Sequence, residues 1–133
     1  MEKVSMSHED YLEAIVKIII DEKEGDPNAS IRSVDLHKKL GVTKASVSKA
    51  LGILSSKGLV EKEHYRTLTL TPEGWEYGNA ILARENLLIT FMTEVLGISK
   101  EIAEEESCLM EHAISDESFE KWKAYIESLN LEK

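Results

Sequence analysis

The feature that most constrains the fold is a change of apolar spacing between Val34 and Leu70. Val34, Leu36 and Leu40 fit a short helix, which Gly41 stops. Thr43 caps a following helix whose inward face is Val47, Ala50, Leu51 and Leu54, and Lys57-Gly58 closes it. The period then falls to two. Leu59 to Glu63 and Thr67 to Leu70 alternate as strands, and His64-Tyr65-Arg66 joins them as a short hairpin. Upstream, Ser7-His8-Glu9-Asp10 offers a capping residue and early acids. The helix it opens carries Tyr11, Leu12, Ile15, Ile18 and Ile19 on one stripe, to about Glu22. Glu24 to Asn28 is a loop by its turn chemistry. Helix, short helix, helix and two-stranded hairpin is the order of a winged helix-turn-helix, and Gly41-Val42-Thr43 is the right length for its turn.

Downstream the chain reads as helix throughout. Thr71-Pro72-Glu73 starts a long helix that ends at Gly97. Ser99 caps the next, and Ser115 caps a last one with Phe119, Trp122, Tyr125, Ile126 and Leu129 as its apolar face. The expected fold is therefore mainly α, a winged helix over residues 1–72 followed by an all-helical domain over residues 73–133. A chain of 133 residues suits one core, or one small domain plus an accessory module. The single cysteine excludes an internal disulfide framework and fits a reducing cytoplasm. Ala14 to Ile20, the longest apolar run, is interrupted by Lys17 and is too short for a bilayer. Met1 to Met6 is too short and too polar for a signal peptide.

A net charge of −9 alone argues against nucleic acid, but its distribution argues for it. Residues 32–66 hold eight bases against three acids, a local +5 inside an acidic protein. Screening limits the reach of charge to ~10 Å in ordinary salt, so a phosphate backbone meets the local patch first. Thr43, Lys44, Ala45, Ser46, Ser48 and Lys49 form the N-terminal turn and outward face of the second helix of the motif. Small hydroxyl and basic residues there suit insertion into a major groove. Arg32 belongs to the same basic segment, and Arg66 at the wing tip suits a phosphate or minor-groove contact. Winged helices also serve as protein-interaction modules. The basic segment and the small recognition face favour double-stranded DNA.

The second chemical signal is Glu104-Glu105-Glu106-Ser107-Cys108-Leu109-Met110-Glu111-His112. Glu104, Cys108, Glu111 and His112 follow i, i+4, i+7 and i+8, so a helix places them on one face. Carboxylate, thiolate and imidazole together suit a divalent transition ion, whereas Ca²⁺ and Mg²⁺ take oxygen. A solvated acidic face with an incidental cysteine fits the spacing equally well. Four donors on one helix cannot wrap one ion, so an ion would need other helices too.

At this point the chain resembles the metal-dependent repressors typified by the diphtheria toxin repressor and the manganese transport regulator, in their short, two-domain form. The resemblance runs from Ser7 to about Leu129. It is carried by Glu9 to Ile15, Thr43 to Ser48, Gly58-Leu59-Val60, Leu70 to Gly74, and Cys108 to Ser115 with its Cys-x-x-Glu-His core. It implies a repressor in which a divalent ion binds between the first helix and a helical dimerisation domain and promotes operator binding. Asp10 and Glu13 match the carboxylates of the manganese branch, Cys108 matches the thiolate of the iron branch, and Glu111 and His112 match ligands of both. Where the family has a metal-binding histidine after a basic residue, this chain has Glu85 after Arg84. Glu104 stands where the iron branch has another histidine, and Ile89 replaces an acid. The second, ancillary metal site is thus either absent or rebuilt from Glu85 and Glu104. The chain ends before the SH3-like third domain of the iron branch, which matches the shorter manganese-type architecture. A thiolate beside hard carboxylates is best satisfied by Fe²⁺, with Mn²⁺ close behind.

On this reading carboxylates repel one another until a divalent ion neutralises them and joins the two domains. That fixes the spacing of two recognition helices in a homodimer on a palindromic operator. Leu87, Leu88, Phe91, Met92 and Leu96, with Phe119, Trp122 and Tyr125, supply apolar surface for that dimer or for the domain's own core. Trp75 and Tyr77 are expected to pack, and His8, His37 and His64 to lie on the surface. A metal-independent winged-helix repressor sensing another ligand is the alternative. No P-loop, nucleophile elbow, GxGxxG or HExxH supports an enzyme.

Overall fold

A computed structural model describes residues 5–63 and 66–131. His64 and Tyr65, expected in the hairpin turn with His64 at the surface, lie outside the described residues, as do the first four residues of the Met1 to Met6 segment. Two compact units divide after Ala80.

The first unit holds α1 (Met6–Glu22), β1 (Ile31–Arg32), α2 (Ser33–Leu40), α3 (Lys44–Ser56), β2 (Val60–Lys62), β3 (Thr67–Leu70) and the start of α4 (Pro72–Thr90). Ser5, not Ser7, caps α1: its backbone is extended and its Oγ accepts from the His8 amide at 3.3 Å. At the end of α2, Gly41 takes φ 67°, which glycine adopts without steric cost. His37 is half-buried rather than a plain surface residue, and its Nδ1 bonds the Val42 carbonyl across the helix-turn-helix turn. Leu12, Ile15, Ile19, Leu36, Val47, Leu54 and Leu68 are all at most 2% exposed and form the core.

The wing is a three-stranded sheet in the order β1-β3-β2, antiparallel throughout. Ile31 and Arg32 pair with Leu68 and Thr67, one strand more than the hairpin pattern predicts. Two residues are too few to display an alternation. Thr71 opens α4, its Oγ1 donating to the Gly58 carbonyl at 2.7 Å and accepting from the Gly74 amide at 3.0 Å.

The second unit begins within α4 and contains a π-helical turn (Phe91–Val95), α5 (Lys100–Ala113) and α6 (Asp116–Ser128). The long helix thus does not stay α-helical to Leu96. Thr90 and Thr93 hydroxyls donate to the Asn86 and Ile89 carbonyls, and the Leu96 amide reaches back to Phe91. Hydroxyls that bond backbone carbonyls loosen the regular ladder and accommodate the wider turn. Ser99 and Ser115 cap α5 and α6 as expected. Ile81, Leu88, Met92, Ala103, Phe119 and Ile126 are buried.

Candidate functional site

The first site lies on the first unit. Thr43 Oγ1 accepts from the Ser46 amide at 3.0 Å and donates to Ser46 Oγ at 2.9 Å, fixing the first turn of α3. Lys44, Ala45, Ser46, Ser48 and Lys49 are exposed, while Val47 and Ala50 turn inward. A hollow of about 660 Å³ separates this face from the wing, and Arg32, Lys44, Ala45, Ser48, Lys62 and Arg66 line it. Arg32 forks onto Asp35, with Nη2 to Oδ1 at 3.0 Å. Arg66, which also lines the hollow, has φ 62°, a left-handed conformation. Thr43, Ser46 and Lys49 sit at the start of α3 and on its face outside the hollow's lining.

Two residues here were not among the contacts expected from the sequence. Lys62 adds a cation, and Glu63 fastens the wing loop. The Glu63 amide donates to the Thr67 carbonyl at 2.8 Å, and its Oε1 accepts from Ser30 Oγ at 2.7 Å and Thr67 Oγ1 at 3.3 Å. Lys62 was signalled by its place in the basic segment and its outward position in the alternation, and Glu63 by neither. A cationic hollow beside a helix N-terminus is suited to a phosphate backbone, with the helix face free to meet base edges.

The second set of donors falls on both units. In the first, α1 places Glu9 and Glu13 one turn apart, both buried, with Asp10 half-buried beside them. Tyr77 Oη donates to Glu9 Oε2 at 2.6 Å, so Tyr77 positions a buried acid, and Lys17 lies 3.6 Å from Glu13 Oε1. Glu9 was not among the expected donors.

In the second unit, Glu111 is 4% exposed and His112 Nδ1 lies 2.9 Å from its Oε2. Cys108 is half-buried one turn earlier and Glu85 is buried. Glu104 stands apart from the stripe: its side chain is 54% exposed and pairs with Lys100 at 3.9 Å. Arg84 joins this set. Its Nη1 donates to Asp116 Oδ1 at 2.8 Å and its Nη2 to the Ile114 and Glu111 carbonyls at 2.8 and 3.2 Å. Its guanidinium stacks 4.5 Å from the centre of the Phe119 ring.

The donor chemistry fits a divalent ion. Among the described residues every buried charged side chain is a carboxylate: Glu9, Glu13, Glu85 and Glu111. Carboxylates leave water at high cost unless cations meet them. Two donors each ~2.1 Å from one ion at a right angle lie ~3 Å apart, close to the Glu111–His112 separation.

Comparison with known proteins decides the class. Residues 3–68 match the description "iron dependent repressor, N-terminal DNA binding domain", and residues 71–131 match "iron dependent repressor, metal binding and dimerisation domain". The chain belongs to the iron-dependent repressor family. A transcriptional regulator of helix-turn-helix type from Methanocaldococcus jannaschii is 37% identical over 124 residues, 93% of this chain and 95% of that protein. The transcriptional regulator MntR of Salmonella typhimurium is 34% identical over 117 residues, 88% of this chain and 70% of its own. A solved manganese-dependent transcriptional repressor in complex with manganese superposes with a TM-score of 0.74 at 25% identity, covering 90% of this chain and 52% of that one. The chain thus spans about half the length of that structure. These relatives are transcriptional regulators and not enzymes. The protein is a metal-regulated, DNA-binding transcriptional regulator whose helical domain is of the dimerisation type. No helix among the described residues is long and apolar enough to cross a membrane.

Proposed function

We propose that this protein is a cytoplasmic repressor of iron or manganese homeostasis, in which Fe²⁺ or Mn²⁺ promotes binding to a palindromic operator. The observation that carries the reading is the buried pair Glu111–His112, whose donor atoms converge at 2.9 Å inside the segment that matches a metal-binding domain. Asp10, Glu13, Cys108, Glu111 and His112 would hold the ion, and Glu85 would serve an accessory position. Glu104, exposed beside Lys100, is left outside that set. Sulfur from Cys108 with hard carboxylates favours Fe²⁺ slightly over Mn²⁺.

A bound divalent ion would supply charge neutralisation and a link between acids of α1 and donors of α5. The chain's own residues do the rest. On this reading Asp10, Glu13 and Glu111 would repel one another if gathered without a cation, which would disfavour a fixed arrangement of the winged helix. His112 Nδ1 faces Glu111 Oε2 at 2.9 Å, and whichever ring nitrogen held the ion would have to carry no proton. Once the arrangement is fixed, Arg32, Thr43, Lys44, Ala45, Ser46, Ser48, Lys49 and Arg66 meet DNA in both halves of a dimer at once, with half-sites about 34 Å apart or a multiple of it.

The test is operator binding titrated anaerobically with Fe²⁺, Mn²⁺, Zn²⁺ and Co²⁺, on the wild type and His112→Ala. The variant is expected to lose metal-stimulated binding while keeping its helical circular dichroism and its mass in sedimentation. Full Mn²⁺ and Fe²⁺ response in the variant would put the metal site elsewhere, and a wild type indifferent to all four ions would favour a metal-independent repressor.

A further inference from the structure

Arg84 is held in place independently of the carboxylate it faces. Its fork bonds Asp116 and two carbonyls at the C-terminal end of α5, and Phe119 supports its face. Its side chain is only 14% exposed. From that fixed position its Nε lies 3.6 Å from Glu111 Oε1, too far for a hydrogen bond but close for an ion pair. The other Glu111 oxygen, Oε2, faces His112 Nδ1 at 2.9 Å. Glu111 is therefore divided: one oxygen is turned toward a permanent cation, the other toward the imidazole.

We propose that Arg84 is an internal counter-ion that competes with the metal for Glu111 and so sets the metal concentration at which the protein responds. This rests on the reading that Glu111 and His112 hold the ion. Two effects act in the same direction. Without metal, the Arg84 guanidinium adds a positive charge beside the buried Glu111 carboxylate, which stabilises the metal-free state. With metal, the guanidinium cannot withdraw, because Asp116 and the two carbonyls anchor it. A divalent ion sharing Glu111 then meets a fixed positive charge a few ångströms away. Each effect weakens binding, and neither needs the affinity of the remaining ligands to change.

The distinguishing experiment measures the Mn²⁺ dissociation constant by calorimetry and the melting temperature with and without Mn²⁺, for wild type, Arg84→Met and Arg84→Lys. Methionine keeps an apolar stem over Phe119 and removes the charge. Arg84→Met is expected to melt lower than wild type without Mn²⁺, to bind Mn²⁺ about tenfold or more tightly, and to gain a larger melting shift from it. Arg84→Lys keeps a cation but loses the fork. It is expected to melt lower as well, with a dissociation constant within a few-fold of wild type. A purely structural role would lower both melting temperatures equally and leave Mn²⁺ affinity unchanged or weaker in both variants, which overturns the proposal. Should Arg84→Met fail to fold, Arg84→Gln replaces it: tighter Mn²⁺ binding supports the proposal, and unchanged or weaker binding overturns it. A wild type that binds neither Mn²⁺ nor Fe²⁺ removes the metal reading itself, an outcome separate from binding that ignores Arg84.

Discussion

The proposed DNA face turns on a few cations, and distant neighbours set the position of only some of them. Arg66 adopts a left-handed backbone that costs an ordinary residue about 1 kcal/mol, and the closed loop from Glu63 to Thr67 holds it there. Lys44 needs no such help, because it stands on the first turn of a capped helix. Each phosphate contact contributes ~0.9 to the slope of log affinity against log salt. Lys44→Ala and Arg66→Ala should each weaken operator binding and reduce that slope by about one, measured by fluorescence anisotropy from low to moderate salt. Unchanged slopes in both would move the docking surface elsewhere. Thr43 and Lys44 were legible in the sequence because caps and helix faces are local properties. Glu63 with Ser30, Tyr77 with Glu9, and Arg84 with Asp116 were not, since partners 33, 68 and 32 residues apart meet only through tertiary packing.

Helices were the legible elements for the same reason. Thr43, Ser99 and Ser115 each place a side-chain acceptor where the first helical amides lack a partner, and the structure uses all three. Ser7 misled, since Ser5 two residues earlier has the extended backbone a cap requires. β1 and the π-helical turn left no periodic trace: one is two residues long, and the other depends on how threonine hydroxyls bond back to the helix. Close approach between elements is equally hidden, yet it explains Gly74. A Cβ there would stand 1.9 Å from the Leu59 carbonyl oxygen, so α4 can start against the entry to β2 only without a side chain. Gly74→Ala should cost about 3 kcal/mol, because backbone must shift to make room. Urea unfolding followed by circular dichroism measures it. A cost well below ~1 kcal/mol, the low end of overpacking penalties, would show that the wing and the start of α4 separate easily.

At the scale of the whole molecule, the dimerisation domain must leave apolar surface over after its own core is filled. The sequence offered Leu87, Leu88, Phe91, Met92, Leu96, Phe119, Trp122 and Tyr125 for either purpose, and the structure divides them. Leu88, Met92 and Phe119 are buried within the chain, while Leu96, Trp122 and Tyr125 are exposed. Phe91 and Trp122 meet edge to face at 6.1 Å, and with Tyr125 and Ile126 they border a hollow of about 280 Å³. Exposed aromatic residues of this kind are typical anchors of an interface. Sedimentation at micromolar concentration should therefore give about twice the 15.0 kDa chain mass. Trp122→Glu combined with Tyr125→Glu should shift the protein toward monomer. Buried Phe119 and Ile126 keep α6 docked, so the variant's helical circular dichroism should match wild type. Operator affinity should fall with dimer mass, because a monomer engages one half-site and forfeits the second. A variant that stays dimeric would shift the interface toward exposed Leu96, Ile102 and Leu109, and a monomeric wild type would end the two-fold reading of the operator.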